Sequence, residues 1–183
     1  MLDSLFREID AMRLMILRHA KAEKGAPGER DRDRPLNPRG RKDAPQMGAF
    51  MAHHGLIPDQ ALVSTTRRTR ETWDGLVLSP RIPVSFEDRL YESGPEAIMA
   101  VLKETDPSAR TLLVVGHNPG LHEVARLLIA AGDVEARERL IEGLPTTGLA
   151  VIDFAIEDWE KLHPHSGRLE RFVTPRLLKA ATD

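Results

Sequence analysis

The chain has 183 residues, long enough for one well-buried domain and within the usual single-domain range. Hydrophobic residues make up 41% and charged residues 30% of it, and the formal net charge is −2, so the whole is no electrostatic trap for nucleic acid or an anionic membrane. Cysteine is absent, which excludes disulfides and every thiolate mechanism and gives no reason to expect secretion.

No apolar run is long enough for a transmembrane helix. The mixed start Met1-Leu2-Asp3-Ser4-Leu5-Phe6 is no signal peptide. A cytoplasmic protein without nucleic-acid or membrane partners is expected, in which any anion binding comes from a local cluster of arginines. Residues 1–11 read as a short N-terminal extension ahead of a domain over 12–183, with Met12 a second possible start.

Strand-like and helix-like patterns then alternate. Residues 13–17 form a short buried strand, Leu14-Met15-Ile16-Leu17 being continuously apolar. A polar loop follows over 21–36. Asn37 is the N-cap and Pro38 the first position of a helix reaching Met51, in which Pro45 is expected to cause a kink or a local break. Residues 61–63 form a second strand and 66–77 a helix; 83–86 are a weak third strand and 94–103 a helix. The strongest strand covers 111–115 and ends at Gly116. Asn118 and Pro119 again give an N-cap and a first-position proline, opening a helix to about Ala130. Residues 149–154 and 169–173 are closing strands with some antiparallel pairing. The order implies an α/β fold: a single-domain, mostly parallel sheet with helices on both faces, its ligands beyond the carboxyl ends of the strands.

Three strand ends carry unusual residues. The first runs into Arg18-His19-Ala20, the second into Ser64-Thr65-Thr66-Arg67-Arg68, and the strongest into Gly116-His117-Asn118-Pro119-Gly120. Parallel strands would bring two histidines and at least two arginines to one edge. The helix opening at Asn118 would add backbone amides and a positive dipole end. Such a cluster suits a phosphoryl group, with forked guanidinium donors for its oxygens and an imidazole to attack phosphorus.

On these residues the chain resembles the histidine phosphatase superfamily, the phosphoglycerate mutase-like fold, and within it the short SixA-type phosphohistidine phosphatases. The resemblance runs from Met12 to about Ala130. It makes His19 the nucleophile and Arg18 a phosphate-binding arginine. The second motif falls on Ser64, Arg68 and Thr72, so Arg68 is the second phosphate arginine, with Arg67 its immediate neighbour. His117 is the second histidine, expected to bind a phosphoryl oxygen as an imidazolium. Leu36-Asn37-Pro38-Arg39-Gly40 resembles the segment that opens the first helix. Thr65 stands where proline is common and Glu71 where glutamine is common. No long insertion supplies a cap, which implies an open cleft. Glu92, in Leu90-Tyr91-Glu92, falls where many members carry a glutamate that protonates the leaving oxygen; its alternative is a surface carboxylate.

Other candidates have simpler readings. His122 is a packing or surface residue, and His53-His54 before Gly55 caps a helix end. His163-Pro164-His165 is a surface loop; no third ligand stands at metal-binding spacing, so neither metal nor cofactor is expected. The alternating run Arg30-Asp31-Arg32-Asp33-Arg34 is a solvated loop, or a contact for an acidic protein partner near the cleft. The reading that results is a metal-independent phosphatase working through a phosphohistidine on His19, with Arg18, Arg68, His117 and Asn118 binding the phosphoryl group. Its substrate is protein phosphohistidine. The alternatives are a small-molecule phosphomonoesterase, or a non-catalytic phosphate-binding or scaffold module.

Overall fold

The computed structural model describes residues 11–181. All but the last residue of the expected N-terminal extension lie outside them. Seven strands form one sheet in the order β3-β2-β4-β1-β6-β7-β5. They are β1 (Met12–Arg18), β2 (Gln60–Ser64), β3 (Val84–Glu87), β4 (Thr111–Gly116), β5 (Ile129–Gly132), β6 (Leu149–Phe154) and β7 (Gly167–Val173). Every pairing is parallel except those of β6 with β1 and β7, so β6 alone runs against the rest.

Alternation along the central strands explains the two-sided core. Leu14 and Ile16 of β1, with Leu112 and Val114 of β4, face one side. There they meet Ile98 and Leu102 of α3 (Pro95–Lys103), Leu121 and Val124 of α4 (Gly120–Leu128) and Leu140 of α5 (Val134–Glu142). Met15, Leu17, Leu113 and Val115 face the other side. They meet Met47 and Met51 of α1 (Pro38–His53) and Leu76 of α2 (Arg67–Leu76), and Leu178 of α6 (Pro175–Ala180) packs at the margin. Continuous apolar runs in β1 and β4 are what a strand covered on both faces requires. No helix among the described residues is long and apolar enough to cross a membrane.

The helix starts follow side-chain chemistry. Asn37 accepts from the Gly40 amide at 2.8 Å, Thr66 from Thr69, and Asp133 from Ala136 at 2.9 Å. Three sequence expectations are corrected. Pro45 does not break α1, which continues to His53; the proline is exposed, so the carbonyl it leaves unpaired faces water. Asn118 is not an N-cap, because its amide donates to Leu144 O at 2.8 Å and α4 starts at Gly120 after a cis Asn118–Pro119 bond. That helix ends at Leu128, short of Ala130, since Ile129 leaves it to pair with Gly167.

Several glycines mark backbone-to-backbone contacts, Gly48 and Gly120 among them. A Cβ at Gly48 of α1 would stand 1.9 Å from Leu76 O, and one at Gly120 would stand 2.3 Å from Ser93 O. We predict that Gly48→Ala forces α1 away from α2 and lowers stability by about 1–3 kcal/mol. Urea unfolding measures this; an unchanged midpoint would show that α1 yields freely.

Candidate active site

The parallel register aligns three strand ends: Arg18 pairs with Gly116, and Val63 with Val115. The chain beyond each strand therefore enters one region. His19 N donates to Gly116 O at 3.0 Å, which carries the ladder one residue past β1. Ala20 N donates to Thr72 Oγ1 at 2.9 Å, and that hydroxyl donates to Arg68 O at 2.6 Å. One buried threonine thus ties the Arg18-His19 turn to the helix that carries Arg68.

His19 and His117 are both buried, with ring centroids 5.2 Å apart. His19 Nδ1 lies 2.8 Å from Ala20 O. A carbonyl can only accept, so Nδ1 carries the hydrogen and Nε2 keeps a lone pair. His117 Nε2 lies 2.8 Å from Ser64 Oγ, while its Nδ1 is buried without a hydrogen-bond partner. Arg18 Nη1 donates to Leu144 O at 3.1 Å, and its buried Nε likewise has no partner. Unpaired buried polar atoms are rare in folded proteins and call for a ligand or a functional reason.

Burial chiefly, with Arg68 and Arg18 adding to it, holds His19 down at about 4 against the weaker upward pull of the Ala20 carbonyl. Burial, then His19 and Arg68, holds His117 at about 3. Both rings are therefore neutral at pH 7 in the ligand-free site. An imidazolium at His117, as the sequence reading expects on a bound phosphoryl group, needs an incoming anion to offset the arginines. Burial and Arg68 also lower Arg18 from its ordinary value.

Arg68 is 6% exposed, and its terminal nitrogens meet Asp31: Nη1 donates to the backbone carbonyl at 2.8 Å, Nη2 to the carboxylate at 3.0 Å. Arg67 lies outside, paired with Glu71 at 2.7 Å. Glu71 also accepts from Leu36 N at 2.7 Å, so it joins α2 to the opening of α1. Thr65, in place of a proline, donates to Asp88 at 2.7 Å.

A cavity of about 520 Å³ opens here, lined by Arg68, His117, Asn118, Tyr91 and Glu92 among others. Glu92 is exposed at its rim with φ 51°, a left-handed backbone that is uncommon outside glycine. A second cavity of about 760 Å³ adjoins at Asn118 and includes Arg18. Arg68, His117, Asn118 and Glu92 line the first cavity and Arg18 and Asn118 the second, while His19 lines neither and stands behind them with its ring 5.2 Å from that of His117. His122 packs against Leu140 O at 2.6 Å, and His163 is exposed in a turn. Among the described residues no three His, Asp or Glu side chains cluster as metal ligands.

Sequence reasoning missed Asp31 and Tyr91. Tyr91 O–H donates to Asp31 at 2.7 Å, its ring lies 5.5 Å from that of His117, and the Arg32 guanidinium sits 4.7 Å over it. The only signal was the alternating run 30–34, whose cations find carboxylates within the chain: Arg30 with Asp33, Arg34 with Asp31, Arg32 with Asp88.

A profile described as histidine phosphatase superfamily (branch 1) matches residues 14–99. An uncharacterized protein of Mycobacterium tuberculosis is 33% identical over 162 residues, 87% of this chain and all of that one. The crystal structure of an Agrobacterium tumefaciens protein, provisionally named phosphohistidine phosphatase SixA, matches with TM-score 0.77 and 31% identity, covering 90% of this chain and 98% of that one. A likewise provisionally named SixA of Nakamurella multipartitia gives TM-score 0.80 and 28% identity, covering 90% and 96%.

The depressed imidazoles give a direct test. Titrated by NMR without phosphate, His19 and His117 are expected to stay neutral to about pH 4 and about pH 3, against the usual value near 6.5. The unfolded chain binds these two protons first, so their contribution to stability is lost as pH falls below about 6.5. Midpoints near 6.5 for both rings would show that the site is wetter than this.

Proposed function

This chain belongs to the histidine phosphatase superfamily and is of the SixA type, and we propose that its substrate is phosphohistidine carried by a protein. The observation that carries the reading is the pair of buried nitrogens without partners, Arg18 Nε and His117 Nδ1, beside a His19 whose Nε2 keeps a lone pair. A phosphoryl group supplies acceptor oxygens to Arg18 Nε and to His117 once Nδ1 carries a proton, and an electrophilic phosphorus to the lone pair.

The steps follow from the charges. Arg18, Arg68 and His117 hold the phosphoryl oxygens, and Asn118 borders them. The anion raises the proton affinity of His117, so the ring that is neutral in the empty site becomes a cationic clamp. His19 Nε2 attacks in line; its bond to phosphorus forms as the substrate's phosphorus–nitrogen bond breaks. The leaving imidazole takes a proton and departs. Water then attacks the phosphohistidine on His19, releasing inorganic phosphate and restoring the imidazole. Positioned cations supply most of the rate in phosphoryl transfer. The two adjoining cavities leave room for a bulky, protein-borne group on either side of Asn118.

A second reading, a small-molecule phosphomonoesterase, is favoured by Glu92. It borders the same cavity as Arg68 and His117, where a carboxylic acid could protonate an alkoxide. An imidazole needs no such acid, because it can be protonated from solvent before it leaves.

Brief incubation with a phosphate donor is expected to label His19 through an acid-labile, base-stable bond. His19→Ala should abolish labelling and turnover; normal turnover by that variant would end the mechanism. Arg68→Ala should cost far more activity than Arg67→Ala, because Arg67 is held outside by Glu71. The opposite order would exchange their roles.

Glu92→Gln separates the two substrates. If Glu92 is the acid, alkyl phosphate hydrolysis slows by about 10²–10⁴-fold while phosphohistidine hydrolysis barely changes. Equal small effects on both would make Glu92 a surface residue and leave the phosphohistidine reading alone.

A further inference from the structure

Asp31 is an exposed anion on the wall of a site suited to an anion. Its carboxylate accepts from Arg68 Nη2 at 3.0 Å, from Tyr91 O–H at 2.7 Å and from Arg34 Nη1 at 2.8 Å. Arg34 is itself held to Glu23 O at 2.8 Å, and Arg34 N closes the short 3-10 turn Asp31–Asp33 on Asp31 O. The carboxylate is therefore braced on three sides. Burial opposes its charge, yet the Tyr91, Arg34 and Arg68 hydrogen bonds hold its carboxyl well below the usual range, so it stays ionised.

We propose that Asp31 tunes product release, loosening the grip of Arg68 on inorganic phosphate by a fixed negative charge. The inference rests on the phosphatase reading of this site. Free phosphate makes every contact that the substrate's phosphoryl group makes, so each cation that binds substrate also retains product. A neighbouring anion weakens all phosphoryl binding alike, a uniform effect that leaves the chemical step untouched. Substrate recovers the loss through contacts of its leaving group; free phosphate has none. Arg68 keeps its orientation meanwhile, since Asp31 also supplies a backbone carbonyl to Nη1 at 2.8 Å.

The test measures inorganic phosphate binding to the full chain, by calorimetry and as product inhibition of aryl phosphate hydrolysis. Asp31→Asn keeps an acceptor for Arg68 and Tyr91 but removes the charge. Removing a unit charge this close to a dianion is expected to tighten phosphate binding about tenfold or more. Asp31→Ser, also uncharged, should tighten it as well, and serves should the asparagine variant fold poorly. Tyr91→Phe removes a hydrogen bond from the same carboxylate but leaves its charge, and should bring no tightening. Phosphate bound no more tightly by the uncharged variants would overturn the inference, because a residue that merely anchors Arg68 can only weaken binding when lost. Equal tightening in Tyr91→Phe would overturn it too, by removing charge as the cause. A wild-type chain that neither binds phosphate nor hydrolyses any phosphoryl substrate would instead refute the phosphatase reading itself.

Discussion

The parallel pairing of Arg18 with Gly116 and of Val63 with Val115 is the constraint on which the site depends. A parallel ladder fixes where neighbouring strands stop, and a one-residue slip would turn every side chain to the opposite face. The two-sided core resists such a slip, because the inward residues of β1 and β4 are fully covered on each face. Packing energy far from the cleft thus specifies the placement of His19 and His117. Thr72 then links the turn after β1 to the start of α2, so Arg68 and His19 move together.

Within that frame the electrostatics oppose the usual preference for exposed charge. Two arginines and two imidazoles lie close together, and the least costly arrangement leaves both imidazoles neutral. A neutral imidazole with one nitrogen committed to a carbonyl is the form in which the other can act as a nucleophile. The cationic surroundings that suppress its protonation are also those that would receive a phosphoryl group. One set of charges serves both purposes, with Asp31 as its counterweight.

Much of this was legible in the sequence. The apolar runs of β1 and β4 announced strands covered on both faces, and their parallel register brings together the residues that follow them. Asn37 worked as a cap because its side chain is free to accept from the Gly40 amide. Asn118 misled for the opposite reason: Leu144 O, from a distant loop, claimed its amide, and local chemistry gives no sign of that. The short helices α5 and α6 escaped notice because each exposes most of its residues, leaving little amphipathic period to read. Asp31 was hidden by its neighbours. A run of alternating charges looks solvated, and only the fold shows that one of its carboxylates reaches the buried arginine.

The contact at Gly120 has a consequence for the shape of the entrance. The start of α4 lies so close to Ser93 O that nothing larger than a hydrogen fits between them. Ser93 follows Glu92, and Gly120 follows Asn118-Pro119, so the close approach joins two parts of the cavity's lining. Main chain touches main chain there, leaving no side chain that could swing aside to widen the gap. On this side the entrance behaves as a fixed calliper. A change in its span therefore requires the backbone around Ser93 and Gly120 to move.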